Sequence, residues 1–328
     1  MHTAHNGADH FATMAGHRSS RSTPVSAALG GFACAVLWAG GVLSAAMVAP
    51  EPPPRIGPGA TSPPTFRAAV ENVNVDVLVT RGGRCVAGLT AADFAVTDSG
   101  VPQRVEVVAG EGTPVDAVLA LDTSSSVRGE RLRELQRAAH AFVDALRATD
   151  AVTLVAFNTD LSLAARAGMS RAETHAAIDR VRGTGATSLV DAAYAALLLT
   201  DPRRGRPLVL LFSDGVDEGS WLTPEAALAT ARAADAVIDY VGIEGGFTFL
   251  DLVARATGGN GWSARQPVEL EGAFIRALEE FRSRYRLRYE PRGVRREGWH
   301  ELKVRLPGKP GKVRARPGYE VPRAPSAN

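Results

Sequence analysis

Val115-Asp116-Ala117-Val118-Leu119-Ala120-Leu121-Asp122-Thr123-Ser124-Ser125-Ser126 is the stretch from which the rest of the chain can be read. Its first seven residues are mostly apolar, as in a strand buried on both faces. A helical period then runs over residues 130–149, where Leu132, Leu135, Ala139, Phe142, Val143 and Leu146 fall on one face. Strand, loop and helix in that order are the unit of an open α/β sheet, which places ligands at the carboxyl ends of its strands. The loop carries one carboxylate, Asp122, and two alternate hydroxyls, Ser124 and Ser126. That is a hard oxygen set, suited to Mg²⁺ rather than Zn²⁺.

Two later segments extend the pattern. Gly183-Thr184-Gly185-Ala186-Thr187-Ser188-Leu189-Val190-Asp191-Ala192 is a glycine-rich loop leading into a helix, and Val209-Leu210-Leu211-Phe212-Ser213-Asp214-Gly215 is a buried strand ending in Asp-Gly. Taken singly, each polar residue also reads as a helix cap or a turn former: Asp122 and Ser124 before residue 130, Thr187 before Leu189, Asp214 with Gly215. Together, Asp122, Ser124 and Ser126, then Thr187, then Asp214, on these elements and in this order, resemble the metal-ion-dependent adhesion site of von Willebrand factor type A domains. The resemblance implies a bound Mg²⁺, or another divalent ion such as Mn²⁺ or Ca²⁺. It also implies a protein partner whose Glu or Asp completes the coordination. Asp191, Asp217 and Glu218 are expected outside that set, as helix, loop or outer residues.

Strand and helix alternate from residue 113 to 284. Strands are expected at 115–121, 152–157, 162–165, 208–212 and 236–242, and helices at 131–149, 171–181, 189–200, 224–234, 250–257 and 268–284. Ser170 with Glu173 has the spacing of a capping box, and Thr223-Pro224 places a cap before a proline. The expected fold class is α/β, a doubly wound, mostly parallel sheet of Rossmann-like type.

β-patterns flank it. Val73, Val75, Val77 and Val79 alternate with outward residues, as do Tyr285, Leu287 and Tyr289 with Arg284, Arg286 and Arg288. Neither half has enough strands to cover its own apolar face. The 66–112 and 285–322 segments are therefore expected to form one small β-sandwich into which the 113–284 domain is inserted. Residues 68–321 resemble the bacterial exported "VWFA-related" proteins, on this pattern together with the metal set.

Before the body, Arg18 and Arg21 precede an uncharged, largely apolar stretch over 22–49. Its length fits a membrane anchor, and Ser44-Ala45-Ala46 also offers a signal-peptidase site. Either reading exports the body to the periplasm or the cell surface. Residues 1–21 read as a disordered leader containing His2, His5, His10 and His17, and 50–65 as a Pro-rich spacer; 323–328 are a tail. Any membrane contact is expected through the N-terminal segment alone.

Net charge is only +2, but residues 113–281 hold 16 basic and 23 acidic residues and residues 282–328 hold 14 and 4, so an acidic body carries a basic end. The expected consequences are mutual attraction, simple solvation of each charged region, or a patch for an anionic partner. Nothing points to nucleic acid. Cys34 lies in the apolar stretch 22–49, and Cys85 reads as a small apolar side chain. Phosphate-binding, hydrolase and zinc-protease motifs are absent. His140, His175 and His300 are scattered in sequence with no evident acid–base role. An enzyme of unknown reaction and a metal-independent envelope scaffold are the competing classes, and the sequence is silent on oligomeric state.

Overall fold

The computed structural model describes residues 72–110, 112–243 and 247–322. The leader, the apolar stretch 22–49, the spacer 50–65, Glu244, Gly245, Gly246 and the tail 323–328 lie outside the described residues. Among the described residues no helix is long and apolar enough to cross a membrane.

Five short strands come first: β1 (Val73–Arg81), β2 (Arg84–Cys85), β3 (Ala95–Asp98), β4 (Val101–Gln103) and β5 (Glu106–Ala109). The α/β body follows as β6 (Val115–Asp122), α1 (Glu130–Ala145), β7 (Ala151–Phe157), β8 (Leu161–Ala165), α2 (Arg171–Arg180), α3 (Leu189–Leu199), β9 (Arg206–Ser213), α4 (Pro224–Ala233), β10 (Val237–Ile243), α5 (Thr248–Thr257), β11 (Gly261–Ala264) and α6 (Leu270–Arg282). The chain closes with β12 (Tyr285–Tyr289), β13 (Gly298–Arg305), β14 (Lys312–Arg314) and β15 (Gly318–Val321).

The body's sheet has the order β11-β10-β9-β6-β7-β8, parallel throughout except for β8, which is antiparallel to β7. β6 and β9 are buried at every residue, which explains their nearly unbroken apolar sequences. One face packs Leu119, Leu121 and Phe212 against Leu135 and Phe142 of α1 and Phe274 and Phe281 of α6. The other packs Val118, Val209 and Leu211 against Ala192 and Ala196 of α3, Ala231 of α4 and Leu250 and Val253 of α5. The fold class is the doubly wound one expected.

Local chemistry sets where elements stop. The first helix ends at Ala145 rather than at 149, because Leu146 turns to extended backbone (ψ 144°) and the Asp150 carboxylate accepts the Arg147 N–H at 2.7 Å, closing a turn. The last helix begins at Leu270, after a 3₁₀ turn at Pro267–Glu269. β11 had no signature in the sequence: it is a strand because its main chain pairs with β10 at the sheet edge. The capping box of Ser170 and Glu173 and the Thr223 cap are both formed.

The flanking strands combine into two antiparallel sheets. β14-β1-β12-β5, with β2 on β1, make one; β15-β13-β3-β4 make the other. Val75 lies opposite Leu287 and Val77 opposite Tyr285, so strands over 200 residues apart in sequence share a register. Val73, Val75, Val77, Val79, Phe94, Val96, Leu287, Leu302 and Tyr319 fill the space between the sheets. Cys85 departs from expectation: it sits exposed on β2, a strand of two residues paired with β1 off the main path of its sheet.

Buried charges join the sandwich to the α/β body. Asp76 of β1 accepts hydrogen bonds from Arg206 of β9 at 2.6 Å and from Arg286 of β12 at 3.0 Å, and all three are buried. Burial alone would raise the Asp76 pKa, but the two guanidinium groups outweigh it and hold the carboxyl below its ordinary 3.8. Asp76→Asn leaves two buried guanidinium groups one charge short, and is expected to cost about 3–5 kcal/mol in urea unfolding at pH 7. With a lowered folded pKa, the charge's contribution is complete above the unfolded value and is lost as pH falls through the folded one. The gap between wild type and variant should therefore narrow only below about pH 4; a gap unchanged down to pH 2 contradicts the assignment.

Candidate functional site

β6 and β9 are neighbours, yet β6 is followed in sequence by β7 on its other side. The chain thus leaves the two strands in opposite directions, and the crevice at their carboxyl ends is the sheet's switch point. Leu121 pairs with Phe212, so Asp122 and Ser213-Asp214 emerge side by side. The Asp122 carboxylate is fully buried; Oδ1 accepts the Ser124 N–H at 2.9 Å and Oδ2 accepts the Ser213 hydroxyl at 2.7 Å. The Ser124 and Ser126 hydroxyls lie 2.9 Å apart, and Ser126 donates to Asp214 Oδ1 at 2.8 Å. One hydrogen-bonded chain therefore runs from Asp122 through Ser124 and Ser126 to Asp214. Burial is the main cause that raises the Asp122 pKa; the Ser213 and Ser124 donors oppose it, and the like charge of Asp214 adds to it. Arg131, in the first turn of α1, places its guanidinium on Asp214 Oδ2.

The glycine-rich loop is laced to the first one. Thr184 N–H donates to the Thr123 carbonyl at 2.8 Å, and Ser125 N–H to that of Gly185 at 2.9 Å. Gly183 is there because a Cβ would lie 2.0 Å from the Val127 carbonyl oxygen. Gly185 has φ +74°, and a Cβ on it would meet the Thr159 hydroxyl at 2.5 Å. Thr187 is buried, and its Oγ1 would lie 3.8 Å from a Cβ on Gly215. Its carbonyl accepts the Glu218 and Gly219 N–H groups at 2.9 and 3.1 Å, which seats the third loop against the second. Thus Asp122, Ser124, Ser126 and Asp214 form one network, with Thr187 beside it.

Other residues hold the loops in place. Asp217 accepts the Leu189 and Val190 N–H groups at 2.7 and 3.1 Å, capping α3, whose own Ser188 makes no side-chain cap. Ser220 Oγ accepts from Val190 and Asp191 at 3.0 and 3.1 Å. Asp191 in turn accepts the Trp221 and Leu222 N–H groups, both at 2.9 Å. Asp217 is thus neither a solvated acid nor aimed at the carboxylates; a cap across 28 positions of sequence carries no local signature. Ser213 and Arg131 were also not singled out in the sequence. Ser213 adjoins Asp214, which was the one available hint. Trp221, tethered through its backbone, leaves 93% of its surface exposed, and Val216 leaves 72%. Phe247 and Phe249 pack against the core, Phe247 with its ring 5.6 Å from that of Tyr240.

The donors here are hard oxygens, two from carboxylates of like charge and three from hydroxyls. Among the described residues no group of three or more His, Cys, Asp or Glu side chains converges to hold a metal. A site of this composition therefore suits a hard cation rather than a zinc-type ion. The repulsion between Asp122 and Asp214 is what a divalent ion would relieve, so the residues present fit one.

Residues 117–216 match the family model described as von Willebrand factor type A domain. No curated protein matches the chain. Among solved structures, a von Willebrand factor type A protein from Catenulispora acidiphila is 15% identical over 74% of this chain and 75% of its own, with a TM-score of 0.49. Proximal thread matrix protein 1 from the mussel byssus, with a zinc-occupied MIDAS motif, is 20% identical over 56% of this chain and 49% of its own, with a TM-score of 0.46. The vWF domain of the type V pili tip protein Mfa5 from Porphyromonas gingivalis is 15% identical over 51% and 94%, with a TM-score of 0.43. The chain spans about half the length of the mussel protein.

Asp217→Ala removes the cap from two α3 amides and is expected to lower stability by about 1 kcal/mol. Urea unfolding measures it; an unchanged midpoint contradicts the capping role.

Proposed function

We propose that the chain is an exported binding module that engages an acidic residue of a protein partner through a divalent metal ion, a reading supported by the match of residues 117–216 to the von Willebrand factor type A model. The observation that supports this most is the hydrogen-bonded chain joining Asp122, Ser124, Ser126 and Asp214 at the switch point, with Thr187 alongside. Asp122 and Asp214 would hold Mg²⁺, or Mn²⁺ or Ca²⁺, by charge, and Ser124, Ser126 and Thr187 would contribute neutral oxygens. Once bound, the ion offers a Lewis-acid position to a carboxylate. The chain's own part is to keep the oxygens preorganised: Ser213 and the Ser124 N–H fix the Asp122 carboxylate, and the glycine loop fixes Thr187. Trp221 and Val216 give the partner apolar surface at the same rim.

The reading is one of capture: among the described residues the hydrogen-bonded network consists of Asp, Ser and Arg side chains. The exported location rests on the apolar stretch 22–49, taken as either a cleaved signal or a membrane anchor. The Arg131–Asp214 ion pair favours a second reading, a metal-independent envelope scaffold in which the guanidinium permanently neutralises Asp214.

Mg²⁺ titration with thermal melting separates the two. A native-state ligand raises stability by about 2.7 kcal/mol at a hundredfold excess over Kd. Asp122→Ala should abolish that rise and abolish metal-dependent capture from an envelope extract, while the circular dichroism spectrum stays as in wild type. Ser124→Ala should weaken both less, because water replaces a neutral ligand more readily than a charged one. Capture by Asp122→Ala equal to wild type, with or without chelator, refutes the metal bridge.

Arg131→Ala removes a competing positive charge and is expected to tighten Mg²⁺ binding roughly five-fold, about 1 kcal/mol. Calorimetric titration reads this directly, and weaker binding would show that Arg131 supports the site instead.

A further inference from the structure

The contact between α1 and α2 holds two imidazoles that the proposed function does not use. The rings of His140 and His175 meet edge to edge through their Nδ1 atoms, with centroids 4.7 Å apart and planes 29° from parallel. His140 Nε2 lies 2.9 Å from Asp179 Oδ1, and His175 Nε2 lies 2.9 Å from Asp144 Oδ1. The two Nδ1 atoms meet each other.

An ionised carboxylate only accepts hydrogen bonds, so each Nε2 facing one carries its proton. In a neutral imidazole the lone pair then sits on Nδ1. Two such lone pairs point at each other here, which is repulsive unless a cation lies between them. A carboxylate on the far nitrogen is also the arrangement that orients metal-ligating histidines and raises their basicity. Imidazole nitrogens suit zinc, copper and nickel rather than magnesium. The side chains are 29% and 25% exposed, so an ion and its waters have access. The carboxylates stand behind the rings, not around a common centre, so the protein supplies two nitrogens and solvent the rest.

We propose that His140 and His175 form a transition-metal site of the Zn²⁺ class, oriented by Asp179 and Asp144, that staples α1 to α2 through the two Nδ1 atoms. Tetrahedral bonds of ~2.1 Å need nitrogens about 3.4 Å apart, a spacing that small rotations of two part-exposed rings supply. The site stands independently of the oxygen site at the switch point, and its preference for a softer ion keeps the two separable.

The test uses the full chain with His2, His5, His10 and His17 replaced by Ala and with Asp122→Ala, so that neither the leader imidazoles nor the oxygen site contributes. Zn²⁺ is titrated calorimetrically, and Co²⁺ is followed by its visible absorption. One Zn²⁺ per chain is expected, with a raised melting temperature and no competition from millimolar Mg²⁺. His140→Gln and His175→Gln should each weaken Zn²⁺ binding by tenfold or more, and Asp144→Asn with Asp179→Asn by about tenfold. The glutamines keep side-chain bulk at the helix contact, and circular dichroism checks that the fold is retained. Zn²⁺ affinity unchanged in both glutamine variants, or no Zn²⁺ bound in the parent, overturns the proposal and leaves a pair that shares only a proton.

Discussion

Two parallel strands at the centre of one sheet, each running directly into an aspartate, are the constraint on which this molecule is organised. β6 and β9 are in register, so Asp122 and Asp214 arrive together at the carboxyl edge, where the chain departs in opposite directions. Like charges at a buried edge are unfavourable by themselves. The surroundings answer that with donors: the Ser213 hydroxyl and Ser124 amide on Asp122, and the Ser126 hydroxyl and Arg131 guanidinium on Asp214. The glycine loop and the Asp217 cap then serve one end, holding Thr187 and the exposed Trp221 at fixed places around that edge.

A second layer of buried charge ties the rest together. Tyr285, Leu287 and Tyr289 of β12 face the sandwich core, while Arg284, just before the strand, and Arg286 within it reach the α/β body. Arg284 meets the Gly258 carbonyl and lies near Asp239 and Glu280, and Arg286 meets Asp76 and Asp235. Arg316 donates to the carbonyls of Ala234, Arg232 and Gly318. Part of the basic C-terminal composition is therefore internal: these arginines neutralise acids and carbonyls at the junction. Within the sandwich, Asp98 accepts from Tyr289 and Tyr319 at 2.8 Å each and pairs with His300 at 2.9 Å, so its carboxylate sits at the centre of a polar network in an otherwise apolar core.

The parts legible in the sequence were those whose signal is local. The continuous apolar run of β6, the 3.6-residue period of α1, the Ser170 and Thr223 caps and the valine alternation of β1 each follow from a few neighbouring side chains. The grouping of Asp122, Ser124, Ser126, Thr187 and Asp214 came from the family resemblance, and in the fold Asp122, Ser124, Ser126 and Asp214 share one hydrogen-bonded network. β11 was not legible, since an edge strand of Gly-Trp-Ser-Ala exists only by pairing with β10. Nor was the end of α1 at Ala145, set by a turn around Asp150. The exposure of Cys85 depended on which strand edge β2 would occupy. His140 and His175, 35 positions apart and unremarkable singly, become a pair only when α2 packs across α1.

By itself, then, the sequence determined the alternation of strands and helices, the strand ends that carry the acidic and hydroxyl groups, and the apolar faces that must be covered. Those are consequences of backbone period and side-chain polarity, which act over a few residues. Tertiary structure alone decided that β6 and β9 are neighbours, which residues of the first and last strands stand opposite each other, and which polar side chains meet: Arg131 with Asp214, Asp76 with Arg206 and Arg286, His140 with His175. Hydrogen bonds and ion pairs act over a few ångströms of space, and sequence separation carries no record of that distance until the chain has folded.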